Sequence, residues 1–406
     1  MLEAHFHQET KNTCLVRQFI IEDTVTKERK TVFYELLDTT TYNMPEALDA
    51  FLLGTIFYLM RLARPVRVRG NLTRSTVINL QLFQEAWHNM RPDRYRVVDI
   101  IPDAIIDLTP ASPVRSLTLF SGGVDSTFTV LQLRRDTKYQ TLVALSDVLL
   151  VHGFDISLAD QRAFDLTTSR IEPFLTTLGL HLKRIRTNAK DLFEDWENSF
   201  GAHMAACLQQ DGGYRYGFLP SSEPYSSPLY PWGSTPAIDP LLSTDQMSIV
   251  HHGAGYSRTE KVEYLLKHPD ALPHLRVCWE GREQFKNCGT CEKCVRTQLN
   301  FWANGVKTIP CFETPLNEDL ILELHIRNQV QFNEYTQILD YASLRGLAAQ
   351  SWARKLERRL ELFNSSFSGR VPFQAKKTKD ARGWKRFSRI RRSLRDVIDR
   401  ISPLRN

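Results

Sequence analysis

The stretch from Ser116 to Arg135, SLTLF followed by SGGVDST and then FTVLQLRR, constrains the fold more than any other part of the chain. A short apolar strand runs directly into a glycine loop, and the loop runs directly into a helical pattern. That order belongs to an α/β sheet in which the loop closes the carboxyl end of a strand. Gly122 and Gly123 permit torsions that turn successive N–H groups inward, and the following helix adds its positive N-terminal end. The segment is therefore suited to an anionic phosphate. Ser121, Ser126 and Thr127 add hydroxyl donors, and Val124 and Asp125 complete the loop. A carboxylate at Asp125 would repel phosphates unless it met Mg2+ or a backbone donor, so a metal-linked role is expected for it. The loop has neither the lysine of GxxxxGK[ST] nor the spacing of GxGxxG, which argues against the usual γ-phosphate NTPase and dinucleotide folds.

Apolar strands then alternate with helical segments. The expected strands are 116–120, 147–154, 180–188, 216–222 and 247–253, with helices after the first three, which predicts a doubly wound parallel sheet. Between the fourth and fifth lies EPYSSPLYPWGSTPAIDP, Glu223–Pro240, too long for a simple connector and read as a lid, a substrate loop or a partner surface. Upstream, residues 14–40 predict a hairpin. An apolar helix follows from Pro45 to about Ala63, then a VRVRG strand, then a second helix over Leu72–Trp87. Residues 1–110 form an α+β module on this reading. Two prolines in the Pro110–Pro113 segment mark its boundary with a nucleotide domain over 111–312. Helices are expected over 313–366, followed by a basic linker and tail over 367–406.

Four of the seven cysteines crowd between Cys278 and Cys294. Cys278, Cys288, Cys291 and Cys294 form a C-x9-C-x2-C-x2-C arrangement. The two-residue gaps let a tight turn aim neighbouring thiolates at one centre, Gly289 permits the bend, and the distant first cysteine closes a tetrahedron typical of structural Zn2+. Lys286 and Lys293 would offset part of the negative charge. An iron–sulfur cluster is the rival reading. An odd cysteine count fits metal binding in a reducing cytoplasm better than a disulfide framework.

The loop SGGVDST resembles the pyrophosphate-binding loop of the PP-loop ATP pyrophosphatases, the adenine nucleotide alpha hydrolase-like superfamily with a HUP-like fold. The cysteine segment is similar to the zinc-binding set of the 7-cyano-7-deazaguanine synthase family within it, in the same order along the chain. The resemblance covers residues 115–312, about half of the chain. It implies an ATP-dependent ligase or synthase. ATP with Mg2+ binds at the loop, a carboxylate or amide oxygen of a small-molecule or protein substrate is adenylylated with release of pyrophosphate, and a nitrogen nucleophile displaces AMP. The chain opens Met1, Leu2, Glu3, without the cysteine of an N-terminal glutaminase, so ammonia or an amine is expected from solution or from a donor partner. A tRNA-modifying enzyme of the superfamily is the alternative, and a nucleotide-binding subunit of a multi-protein system is another.

Ligands of doubly wound sheets meet the carboxyl ends of strands, which selects His152 and Gly153 after the second strand, Thr187 and Asn188 after the third, and Ser221 and Ser222 after the fourth. By analogy with the superfamily, the second-strand end contacts adenine and ribose. Arg258 and Lys261, in GYSRTEKVEYL, resemble the segment that places a cation near the phosphates, where Lys261 would stabilise charge on the leaving pyrophosphate. Asp125, Ser126 and Lys261 are the expected catalytic residues.

The net charge of +6 is uneven, because Val371–Asn406 carries twelve Lys or Arg against three Asp, leaving the rest mildly acidic. Trp384, Phe387, Ile390, Leu394, Val397, Ile401 and Leu404 recur every three or four residues, which predicts a basic amphipathic helix for a partner protein, an anionic membrane surface or RNA. The opening MLEAHFHQET lacks the basic and apolar regions of a secretory signal, so a cytoplasmic protein is expected.

Overall fold

The computed structural model describes residues 1–11, 14–37, 42–192, 195–281, 283 and 285–367. Residues 1–360 form one compact unit and 361–406 a second. The expected basic linker and amphipathic tail lie outside the described residues.

The chain begins with β1 (Leu2–Lys11), β2 (Cys14–Asp23) and β3 (Arg29–Leu37), an antiparallel meander. Helix α1 (Asp49–Leu62), strand β4 (Val66–Thr73), helix α2 (Arg74–Met90) and strand β5 (Ile100–Ile106) follow. The sequence reading anticipated the hairpin, β4 and both helices but not β1 or β5. In β1 only Leu2 and Ala4 are buried before the strand turns polar, so its alternation is too short to register. In β5, an edge strand, Pro102 and mostly exposed residues dilute the strand pattern.

The second half reads β6 (Ser116–Leu119), α3 (Val124–Arg135), α4 (Thr137–Val143), β7 (Leu145–His152), α5 (Gln161–Thr177), β8 (His181–Thr187), α6 (Ala189–Leu192), α7 (Trp196–Leu208), β9 (Tyr216–Pro220), β10 (Ser248–His252) and α8 (Arg258–Leu266). These five strands are parallel to one another, in the order β10-β9-β6-β7-β8. The chain builds outward from β6 to β8, then returns to lay β9 and β10 on the other side. The reversal falls between β6 and β9, and the crevice at the carboxyl ends of those two strands is the topological switch point, where open α/β sheets bind ligands.

One sheet runs through both halves. Strand β3 pairs antiparallel with β8, so the meander extends the parallel strands into a single ten-stranded sheet, β10-β9-β6-β7-β8-β3-β2-β1-β4-β5. The proline segment at 110–113 thus joins β5, at one edge, to β6, in the middle of the parallel strands. Tyr95, beyond α2, reinforces the union by accepting from Asn198 Nδ2 of α7 at 3.2 Å.

Period-two side-chain alternation divides the core. Leu117 and Leu119 of β6, Leu149 and Val151 of β7 and Leu219 of β9 face α1 and α7. Val148 and Leu150 of β7 and Phe218 of β9 face the other way, toward α3, α5 and α8. Both faces are covered, which explains why the central strands read as continuous apolar runs. Helix α1 is buried nearly all round, as its apolar sequence requires. The described chain ends with α9 (Glu292–Ala303), α10 (Leu320–Glu323), α11 (Gln329–Leu344) and α12 (Ser351–Phe367). Among the described residues, no helix is long and apolar enough to cross a membrane.

Candidate active site at the switch point

Strand β6, buried along its whole length, delivers Ser121 to the switch point. Gly122 takes φ +77°, a left-handed torsion that disfavours any residue with a Cβ, and its carbonyl accepts from the Arg276 N–H at 2.8 Å. Gly123 is the extended N-cap of α3, and Thr127 N–H donates to its carbonyl at 3.0 Å to begin the helix. No side chain caps this end, so the first-turn N–H groups of α3 are left for a ligand or solvent. The Ser126 hydroxyl donates to the Gly123 carbonyl at 3.1 Å and holds the turn closed. Thr127 is buried behind it.

Asp125 meets two protein cations. Arg258 Nη2 donates to one carboxylate oxygen at 2.6 Å and Lys261 Nζ to the other at 3.1 Å. A capping box sets this geometry: Ser257 Oγ accepts from Glu260 N–H while Glu260 Oε2 accepts from Ser257 N–H. It fixes the start of α8, and the three-residue spacing of Arg258 and Lys261 puts both on one helix face. Lys261 Nζ also donates to the Ser221 carbonyl beyond β9, spanning the crevice. Arg258 continues to Glu334 of α11, which also pairs with Arg296 of α9. Burial alone would raise the Asp125 carboxyl, but the charges of Arg258 and Lys261 more than offset it and hold it at about 2. Burial pulls the Lys261 ammonium below its ordinary value against the pull of Asp125.

In front of the loop lies a pocket of about 350 Å³. Of the residues selected from the sequence, Ser121, Gly123, Val124, Asp125, Ser126, Ser222 and Arg258 line it. An aromatic wall faces them, with Phe154, Trp196, Phe200 and Trp232 in a chain whose ring centroids lie 4.8 to 6.1 Å apart. Asp155, beyond β7, also lines the pocket. Burial opposes its charge, yet Lys293, Arg276 and Lys190 more than compensate and keep its carboxyl below the ordinary range. Sequence reasoning missed Arg276 and Trp279 and read Lys293 and Arg296 only as cations beside the thiolates, although all four lie within two residues of a motif cysteine. It also missed Glu334 and the contribution of α11, where nothing local marks a site residue.

Five residues selected from strand ends, His152, Gly153, Thr187, Asn188 and Ser221, do not line the pocket. His152 lies flat against Phe164, centroids 4.4 Å apart and planes 9° apart, with Nε2 on the Ser157 carbonyl at 2.8 Å. Gly153 adopts φ +110° where a Cβ would come within 2.0 Å of the Thr187 carbonyl. Thr187 Oγ1 accepts from Ala189 N–H, and Asn188 clips β8 to β3 through Phe33 N–H and the Thr31 carbonyl. His152, Gly153, Thr187 and Asn188 hold the ends of β7 and β8 in shape. Ser221 is buried, its hydroxyl donating to the Glu223 carbonyl at 2.6 Å. Ser234, Asp239 and His251 meet in one cluster: Ser234 Oγ donates at 2.6 Å to the same Asp239 oxygen that bonds His251 Nδ1 at 2.7 Å, and Ser234 Oγ and His251 Nδ1 stand 3.5 Å apart.

The Sγ atoms of Cys278, Cys288, Cys291 and Cys294 all lie within 4.8 Å of one another and can hold a metal ion. Ligands at about 2.3 Å from a tetrahedral ion stand about 3.8 Å apart. Cys278 and Cys291 are separated by 3.9 Å, and Cys288 and Cys294 by 3.8 Å. The set fits one tetrahedral ion, whereas an iron–sulfur cluster distributes its thiolates over separate irons. Gly281 N–H donates to Cys278 Sγ and Cys291 N–H to Cys288 Sγ, stabilising thiolate charge. Asn287 fixes the loop by accepting from Val277 N–H at 2.8 Å and donating to the Cys311 carbonyl at 3.0 Å. Cys291 is the N-cap of α9, whose next residues, Glu292, Lys293, Arg296 and Thr297, line the pocket together with Arg276, Val277 and Trp279. The cysteines thus clasp the two segments that form one pocket wall.

No protein-family model, curated protein or solved structure matches the chain.

Proposed function

We propose that the protein is an ATP-dependent, AMP-forming ligase: it adenylylates a carboxylate or amide oxygen of an acceptor at the switch-point pocket, releases pyrophosphate, and completes a bond to a nitrogen nucleophile that displaces AMP. The observation that carries this reading is the glycine loop at the junction of β6 and α3, with uncapped first-turn N–H groups and two cations gathered on Asp125. A loop of this kind, without a P-loop lysine, suits a pyrophosphate leaving group better than γ-phosphate transfer.

The roles follow from position. The N–H groups of residues 124–126 orient the leaving phosphates, and Arg258, backed by the buried Lys261 behind Asp125, stabilises the charge that develops there. Asp125 holds those cations in place, a positioning role. Its two oxygens are already engaged, so Mg2+ would arrive with the nucleotide, coordinated by phosphate oxygens and water, and would supply charge neutralisation. The aromatic wall excludes water from the activated acceptor, and the oppositely charged groups Asp155, Arg276 and Lys293 line the same pocket. Zn2+ on the four cysteines is the metal most compatible with their spacing. It is structural, because four protein thiolates leave no open coordination position. Such a site suits a reducing cytoplasm.

The test is to incubate the full chain with ATP, Mg2+, ammonium and a small-molecule cell filtrate, and to identify the nucleotide products. AMP with pyrophosphate, lost in Arg258→Met and Lys261→Met, is the expected result. ADP with phosphate would refute the reading, and ATP binding without turnover would favour a nucleotide-binding subunit.

A further inference from the structure

Next to the nucleotide pocket, the proline-rich loop and Val330 of α11 enclose a second cavity of about 320 Å³. The two spaces share Trp232, Ser234 and Val330, so they adjoin. The loop is held in place. Gly233 N–H donates to the Glu197 carbonyl at 2.8 Å, Asn333 Nδ2 to Tyr230 Oη at 2.8 Å, and Gln337 Nε2 to Ser227 Oγ at 3.3 Å.

Three residues lining this cavity carry buried polar atoms without a hydrogen-bond partner among the described residues: Glu223 Oε1, Trp232 Nε1 and Thr235 Oγ1. Glu223 is the most informative of them. It is 9 % exposed, its other oxygen accepts from Ser227 Oγ at 2.8 Å, and among the described residues no Lys, Arg or His forms an ion pair with it. The nearby guanidinium groups of Arg258 and Arg296 are already matched by Asp125, Glu334 and Glu292. A buried carboxylate oxygen left without a donor is unfavourable, and a ligand N–H relieves it once the Glu223 side chain turns Oε1 into the cavity that it lines. Burial also raises the Glu223 carboxyl above its ordinary value, against the pull of the Ser227 hydroxyl and of Arg258 and Arg296, which makes it a better proton acceptor. The rest of the wall is largely proline, leucine and aromatic side chains. A volume of about 320 Å³ is about ten times the ≈ 30 Å³ share of a water molecule, too large for ammonia alone.

We propose that the nitrogen nucleophile of the ligase reaction is a small organic primary amine, bound in this cavity with its nitrogen against Glu223 and its apolar body against the proline-rich loop. The proposal rests on the ligase reading above. The ammonium gives one proton to the Glu223 carboxylate. The freed nitrogen lone pair attacks the activated carbon of the adenylylated acceptor, forming the C–N bond. The bond from that carbon to the AMP oxygen breaks, AMP leaves with the electron pair, and the second nitrogen proton passes to solvent.

The test is equilibrium binding to the full chain without ATP, followed by tryptophan fluorescence and saturation-transfer NMR, with benzylamine, benzyl alcohol and ammonium chloride as probes. Benzylamine is expected to bind saturably and benzyl alcohol at least tenfold more weakly. Glu223→Gln should lose at least tenfold in benzylamine affinity with an unchanged melting temperature. Ala237→Phe, which narrows the cavity at an exposed position without touching Glu223, should also weaken benzylamine. Equal binding of the alcohol, unchanged affinity in Glu223→Gln, or no binding at all would overturn the proposal, as would ammonium matching benzylamine as a ligand. The binding assay needs no turnover, so its failure leaves AMP formation standing. Amine binding without AMP formation would instead remove the ligase reading and, with it, the role of the amine as nucleophile.

Discussion

Asp125→Ala removes the carboxylate shared by Arg258 and Lys261, whose side chains are only 9 % and 1 % exposed. Two lines of reasoning give the size of the loss. Holding the carboxyl at about 2 instead of 3.8 corresponds to about 2.5 kcal/mol of native-state stabilisation, at about 1.36 kcal/mol per pKa unit. Breaking a buried ion pair from one side costs about 3–5 kcal/mol, and Arg258 keeps Glu334, which places this case near the lower limit. The expected loss is about 3 kcal/mol, read as a shift in urea midpoint at constant slope. Lys261→Met should be comparably destabilising, and the double variant should be less destabilised than the sum by about 1–3 kcal/mol. The pH dependence has a defined sign. The depressed pKa contributes stability that is complete above the unfolded value of about 3.9 and is lost as pH falls toward 2, and this acid loss should shrink in Asp125→Ala. Single variants within about 0.5 kcal/mol of wild type, with strictly additive effects, would refute the assignment of Asp125 as the hub of this cluster.

The other predictions concern the metal, the strand ends and acid stability. The purified chain should hold one Zn2+ per molecule, lost in Cys291→Ser. Chelation should change the emission of Trp279 and weaken ATP binding, because the cysteines clasp one pocket wall; full ATP affinity after metal removal would contradict that coupling. Gly153→Ala should destabilise by about 2 kcal/mol or more, given the 2.0 Å approach of a Cβ to the Thr187 carbonyl at φ +110°, yet leave the ATP affinity of the folded fraction within twofold. Burial holds the His252 imidazole down at about 4, so the unfolded chain takes up that proton first and stability should fall as pH drops from about 6.5 toward 4. His252→Gln should flatten that part of a pH–stability profile, and an unchanged slope would count against it.

Much of this architecture was legible because it rests on local pattern. The five parallel strands fall where β-rich apolar runs end at turn residues, and the glycine loop lies at the end of the first of them. The cysteine spacing likewise announced a single centre, since two CxxC-type gaps are a local device. What the sequence did not disclose depends on long-range pairing. That β3 docks on β8 and fuses two halves into one sheet follows from edges meeting in space, and the proline segment between β5 and β6 suggested a boundary instead. The rule of strand ends found Ser222 but also selected His152, Thr187 and Asn188, because a polar group at a strand end serves a turn or a neighbouring strand as readily as a ligand. Glu334 was invisible for the opposite reason: it sits on an ordinary amphipathic helix, and only packing brings it to Arg258 and Arg296. Asp125 was recognised, but its partners were not, because the capping box that fixes Arg258 and Lys261 on one face lies more than a hundred residues downstream.

The claim that the glycine loop directs cleavage between the α- and β-phosphates is tested most directly with two ATP analogues. With the acceptor-containing filtrate, β,γ-methylene-ATP keeps its α–β anhydride and should yield AMP with methylenediphosphonate, whereas α,β-methylene-ATP should bind and yield no AMP. If instead the α,β-methylene analogue released phosphate while the β,γ-methylene analogue remained intact, cleavage would lie at the γ-phosphate and the account given for the loop would be wrong.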